Sequence, residues 1–177
     1  RLPQTEEGFA KSIDDSRAEE LIDYCIKNGV NYFDTAYIYH GGQSESFLGR
    51  ALKKYSRDSY FIADKFNVQA NPNFSEQFER QLNRLQMEQI DFYLLHGVSD
   101  KLISDYLDHG AVEYFAEQKR RGKIRYFGFS FHGSPDALRH ILKRHSWDFV
   151  QIQLIYYDWF HGTAKEQYEI LREHNIP

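Results

Sequence analysis

Tyr60-Phe61-Ile62-Ala63-Asp64-Lys65 is a short, mostly apolar run that ends on a charged residue. Four other mostly apolar segments close on a polar residue or, in the last case, contain one: Val30-Asn31-Tyr32-Phe33-Asp34, Ile90-Asp91-Phe92-Tyr93-Leu94-Leu95-His96, Ile124-Arg125-Tyr126-Phe127-Gly128-Phe129-Ser130, and Phe149-Val150-Gln151-Ile152-Gln153-Leu154-Ile155. From Asp34 the polar residues that mark these runs follow at intervals of 31, 31, 34 and 23 residues, through Lys65, His96, Ser130 and Gln153. Such an interval holds a strand, a helix and two loops. If the runs are neighbouring parallel strands, the five polar groups meet at one rim, where parallel α/β folds place their chemistry.

Helical patterns fill the intervals. Asp14 or Asp15 caps a helix to about Lys27, with Leu21, Ile22, Cys25 and Ile26 on one face and Asn28-Gly29 as its stop. Ser44 caps a second helix carrying Phe47, Leu48, Ala51 and Leu52, and a third aligns Phe78, Leu82 and Leu85 between about Phe74 and Leu85. The fourth, about Ser104 to Arg120, is less regular, and Gly110 divides it. Ser134-Pro135 opens the fifth, the final strand reads from Phe149 to Tyr156, and the last helix covers about Ala164 to His174.

Strict alternation of apolar strands and helices implies a parallel sheet covered by helices. No Gly-x-Gly-x-x-Gly follows any strand, so an open dinucleotide-binding sheet loses its main signal. Polar residues at every strand end, not at one switch point, favour a (β/α)₈ TIM barrel. Five strands cannot close one. The chain from 1 to 177 therefore reads as one partial barrel domain, with one strand expected before Arg1 and two after Pro177.

Composition narrows the class of protein. With 177 residues, 41% of them apolar, the chain supports one domain with a real core. The net charge of -4 is spread over 22 basic and 26 acidic residues without a basic stripe, which argues against a nucleic-acid partner. Cys25 alone excludes an internal disulfide framework or a multi-cysteine metal cluster, and it reads as a small core residue. No signal peptide or membrane-length apolar run is present, so the expected setting is the cytoplasm, away from membranes.

The chemistry centres on Asp34 and Lys65. A buried ion pair is a weak stabilising device, because desolvation offsets the attraction. Tyr39, five residues past Asp34, gives the pair a better use, since an ammonium beside a phenol stabilises the phenolate. His96 on the next strand can donate a hydrogen bond to the same small site. Acid, tyrosine, lysine and histidine at one rim suit the protonation of a carbonyl oxygen. Tyr37, three residues after Asp34, reads as packing or pocket wall, and Glu45 as a helix-capping residue bordering the site. His40 and His132 are candidate pocket residues. His109, His140, His145, His161 and His174 lack metal-ligand spacing and read as solvated.

Asn31-Tyr32-Phe33-Asp34-Thr35-Ala36-Tyr37-Ile38-Tyr39, Gly42-x-Ser44-Glu45, Leu48-Gly49, Lys65, Leu94-Leu95-His96 and Gly122 to Ser130 together resemble the aldo-keto reductases, in order, from about Asp14 to the end. That resemblance implies a (β/α)₈ barrel reducing aldehydes or ketones, small-molecule carbonyl substrates, with NADPH, or NADH in its place. It implies a catalytic tetrad of Asp34, Tyr39, Lys65 and His96, with Tyr39 as general acid. Ser130 and Gln153 match positions that hold the nicotinamide carboxamide. Where the family usually has Asn after the serine matched by Ser130, Phe131 stands here, and His132 is the residue that would replace it. Tyr39-His40-Gly41-Gly42 and Gly128 to Gly133 are similar to the branch carrying a C-terminal ferredoxin-like domain. An iron-sulfur cluster is implied only if such a domain follows. A monomer or weak homo-oligomer is expected. Two other functions compete: a lyase using Lys65 as a Schiff base, and a non-catalytic nicotinamide-binding sensor or scaffold.

Overall fold

The computed structural model describes residues 2–5 and 12–177. Its centre is a five-stranded parallel sheet: β1 (Tyr32–Asp34), β2 (Phe61–Phe66), β3 (Ile90–Val98), β4 (Ile124–Phe131) and β5 (Phe149–Ile152), paired in chain order. Phe33 pairs with Ile62, Ala63 with Phe92, Phe92 with Tyr126, and Ser130 with Gln151. The helices are α1 (Asp15–Lys27), α2 (Ser44–Leu52), α3 (Phe74–Leu85), α4 (Ile103–Leu107), α5 (Ala111–Arg120), α6 (Pro135–Leu142), α7 (Tyr156–His161) and α8 (Ala164–Glu173).

Alternation along the strands separates two faces. Ile62, Asp64 and Phe66 of β2, Tyr93 and Leu95 of β3, and Phe127, Phe129 and Phe131 of β4 are buried on the helix side. The aromatic density of the sequence is spent there. Phe115 of α5 packs its ring within 4.8 to 5.9 Å of those of Phe66, Phe78, Tyr93 and Phe127, centroid to centroid. The opposite face is concave: Tyr32 of β1 reaches Phe92 of β3 across the intervening strand at 5.2 Å, and Phe92 meets Phe149 of β5 at 5.2 Å. This curl makes the sheet a half-barrel, its concave face the lumen and its strand ends one rim.

The helix reading holds with corrections. Asp14 and Ser134 cap α1 and α6 through their side chains. Ser44 is the first residue of α2 instead of its cap, because its hydroxyl accepts the Thr35 hydroxyl at 2.9 Å. Gly110 at φ 82° divides α4 from α5, a conformation few other residues adopt. The expected strand to Tyr156 stops at Ile152, where β4 runs out of partners at Phe131. Tyr156 opens α7 instead. An apolar run of that length has no periodicity to separate strand from helix. Cys25 is half-buried and Leu21 exposed, so α1 covers the sheet less completely than its apolar stripe implies. His145 is half-buried against the rings of Phe127 and Trp147 rather than solvated.

Candidate active site

Asp34 closes β1, Lys65 is the fifth residue of β2, and His96 lies near the end of β3. Parallel pairing stacks these ends at one rim. Lys65 is almost fully buried, and its ammonium donates to the Asp34 carboxylate in a short hydrogen bond and to the Thr35 carbonyl at 2.7 Å. Tyr39 begins a tight turn, Tyr39–Gly42, in which His40 and Gly41 take positive φ of 52° and 64°. The turn carries the Tyr39 ring over Lys65, with Nζ 5.0 Å from the ring centroid. The same ring meets His96 edge-on at 5.7 Å and 82°. Asp34, Tyr39, Lys65 and His96 are therefore brought together by direct contacts.

His96 is held from behind, its backbone carbonyl accepting the Tyr106 hydroxyl at 2.6 Å. Its Nδ1 is buried, and no hydrogen-bond partner reaches it among the described residues. Burial, with the Lys65 charge and His132 adding to it, pushes its pKa down to about 4, so the imidazole is neutral at physiological pH and has one N–H to donate. A cavity of about 640 Å³, lined by Leu21, Phe33, Asp34, Tyr39, His40 and Leu48 among others, runs along the outer edge of β1 to the acid and the tyrosine.

The other expected residues are placed differently. Ser130 is buried, its Oγ accepting the Gly97 N–H at 2.7 Å, so it braces the end of β3 just past His96. Gln153 lies beyond β5, exposed, with its amide donating to Asp158 at 3.0 Å. Gln151, which the reading of the sequence passes over, is level with Ser130 and shares the lumen side with Phe149, exposed. Strand alternation counted back from Gln153 was the signal for it. Tyr37 is held by two arginines of α3: Arg84 lies over its ring at 4.8 Å and Arg80 donates to its hydroxyl at 3.1 Å. Glu45 is no surface cap. It is fully buried, paired with Arg84 at 2.8 Å and accepting the Gln81 amide at 3.0 Å. Among the described residues no cluster suited to a metal ion occurs.

A parallel α/β half-barrel with an acid, lysine, tyrosine and histidine converging at its strand-end rim defines a class of barrel protein. Residues 4–177 match the model of the Aldo/keto reductase family, and the chain belongs to that family. It is 28% identical over 172 residues to "Uncharacterized oxidoreductase YqkF" of Bacillus subtilis, covering 91% of this chain and 54% of that protein. It is 30% identical over 167 residues to "Probable aldo-keto reductase 1" of Glycine max, covering 88% and 46%. The chain thus spans about half the length of these curated relatives. Among solved structures, the holo form of aldo-keto reductase AKR11C1 from Bacillus halodurans superposes with a TM-score of 0.74 at 27% identity, covering 99% of this chain and 64% of that one.

Proposed function

We propose that the complete protein is a nicotinamide-dependent reductase of aldehydes or ketones, with Tyr39 as the general acid. The observation that carries this reading is the contact of the Tyr39 ring with both the Lys65 ammonium and the neutral His96. In this reading the His96 N–H orients the carbonyl oxygen of the substrate, and Tyr39 delivers the proton to it. The Lys65 ammonium lies beside the phenolate left behind, and Asp34 holds that ammonium in place.

The residues fit a nicotinamide group. Gln151 presents an open amide on the lumen beside Ser130, and the aromatic lumen suits a flat ring. Bound there, the reduced cofactor would supply the hydride. A protein of this fold from Klebsiella pneumoniae, 22% identical with a TM-score of 0.75, is described in complex with NADPH, which supports NADPH as the first cofactor to test. The Lys65 Nζ is already committed to Asp34 and the Thr35 carbonyl, and this weighs against a Schiff-base role.

Tyr39→Phe tests the assignment. Turnover of an aldehyde or ketone should fall by about 10²-fold or more, while NADPH titration, followed by tryptophan fluorescence, changes little. Full activity in that variant would remove Tyr39 from the role of acid, and absence of both NADPH and NADH binding to the complete protein would end the reductase reading.

A further inference from the structure

Asp64 is a carboxyl group next to Lys65 that the reaction does not use. It alternates with Lys65 along β2, so Lys65 faces the lumen while Asp64 faces α2 and α3. Both Asp64 and Glu45 are fully buried. Glu45 Oε2 accepts from Arg84 and Oε1 from the Gln81 amide, at 2.8 and 3.0 Å. Asp64 Oδ1 accepts the backbone N–H of Lys65 at 2.8 Å. Asp64 Oδ2 is buried with no hydrogen-bond partner among the described residues, and the Glu45 carboxyl is the acidic group that acts on the Asp64 carboxyl.

Two carboxylates cannot bond to each other, and buried polar atoms are rarely left unsatisfied. One proton resolves both problems. We propose that Asp64 is a neutral carboxylic acid donating its proton to the Glu45 carboxylate, and that this pair is a positioning device fixing the Tyr39 turn against the strand of Lys65. The proposal rests on the reductase reading only for its catalytic consequence.

The charge surroundings agree. Glu45 comes from α2, its partner Arg84 from α3, and Tyr93 from β3 donates its hydroxyl to Gln81 at 2.5 Å. The Lys65 ammonium lies on the other face of β2, committed to Asp34 and Thr35. Burial first, and the Glu45 charge second, raise the Asp64 pKa well above the carboxylate range, and burial raises that of Tyr93 as well. With the proton on Asp64, one negative charge remains opposite Arg84.

Every arm of the network ends on the site. Glu45 is the second residue of α2, which follows the Tyr39–Gly42 turn. Arg84, held by Glu45, lies over Tyr37. Gln81, which bonds Glu45, also donates to the Lys65 backbone carbonyl at 3.0 Å. Asp64 thereby acts through the positions of Tyr39 and Lys65, without touching a reacting atom.

The experiment compares the complete wild-type protein with Asp64→Asn, which keeps a donor of the same shape, and Asp64→Ala, which does not. Infrared spectra at neutral pH should show the carbonyl band of a protonated carboxylic acid in the wild type, absent from Asp64→Asn. Amide exchange over residues 39–43 should quicken by about tenfold in Asp64→Ala and return towards the wild-type rate in Asp64→Asn. The kcat should follow the same order, with KM moving less. Absence of the wild-type band, or an Asn variant as disruptive as the Ala variant, overturns the proposal. A wild type that binds cofactor but turns over no carbonyl overturns the reductase reading alone, because the band and the exchange rates still decide the state of Asp64.

Discussion

Lys65 shows how burial selects function at the scale of one residue. An ammonium in a nearly dry position needs its donors satisfied, and Asp34 and the Thr35 carbonyl take two of the three. His96 solves the same problem oppositely, by losing its charge. Its pKa falls from the ordinary 6.5 to about 4, so the unfolded chain binds more protons than the folded one between those values. Stability associated with His96 is therefore complete above 6.5 and is lost as pH falls towards 4. Urea unfolding measured across this window should show a smaller pH slope in His96→Asn than in the wild type; equal slopes would mean that His96 is not buried neutral. The turnover profile of the wild type should also lack an inflection near 6.5 from His96.

Elements are held apart or together by single residues. Gly49 of α2 lies so close to the end of α3 that a Cβ there would sit 2.6 Å from the carbonyl oxygens of Arg84 and Leu85. These are backbone atoms that cannot swing aside, so Gly49→Ala should destabilise the protein by about 1–3 kcal/mol in chemical denaturation. Because α2 follows the Tyr39 turn, the same change should also lower turnover. Further along the same helix-covered face Phe115 binds α5 to β2, β3 and β4, and Phe115→Ala should cost about 3–5 kcal/mol. A loss under 1 kcal/mol, roughly the effect of an ordinary surface substitution, would show that the aromatic cluster is not the core of this half-barrel.

Over the whole molecule, stability should grade from the middle of the sheet outward. β2 and β3 are flanked by strands on both sides and covered by α3 and α5, whereas among the described residues β1 has three residues and one partner strand. Hydrogen exchange should therefore find the slowest amides in β2 and β3 and faster ones in β1 and α1. Uniform protection would contradict that gradient. At the other end, Tyr156 and Phe160 of α7 are 83% and 76% exposed, an aromatic surface with no layer over it among the described residues.

Asp34, Tyr39, Lys65 and His96 were legible from the chain because each sits at or just past a strand end, and parallel strands in chain order carry such ends to one rim. The parallel half-barrel was legible for the same reason: strand and helix periods alternate, and Gly110 marks a break that backbone sterics require. What periodicity does not carry is pairwise. The register of β4 on β5 puts Gln151, not Gln153, beside Ser130, and the end of β4 stops β5 before Tyr156. Glu45 and Asp64 stand 19 residues apart, one read as a helix cap and the other as part of a strand run, and only the packing of α2 and α3 over the sheet buries both. Local sequence determined which segments are strands and which polar groups close them. Burial and register decided what those groups do, because both depend on neighbours that only the folded chain brings within a few ångströms.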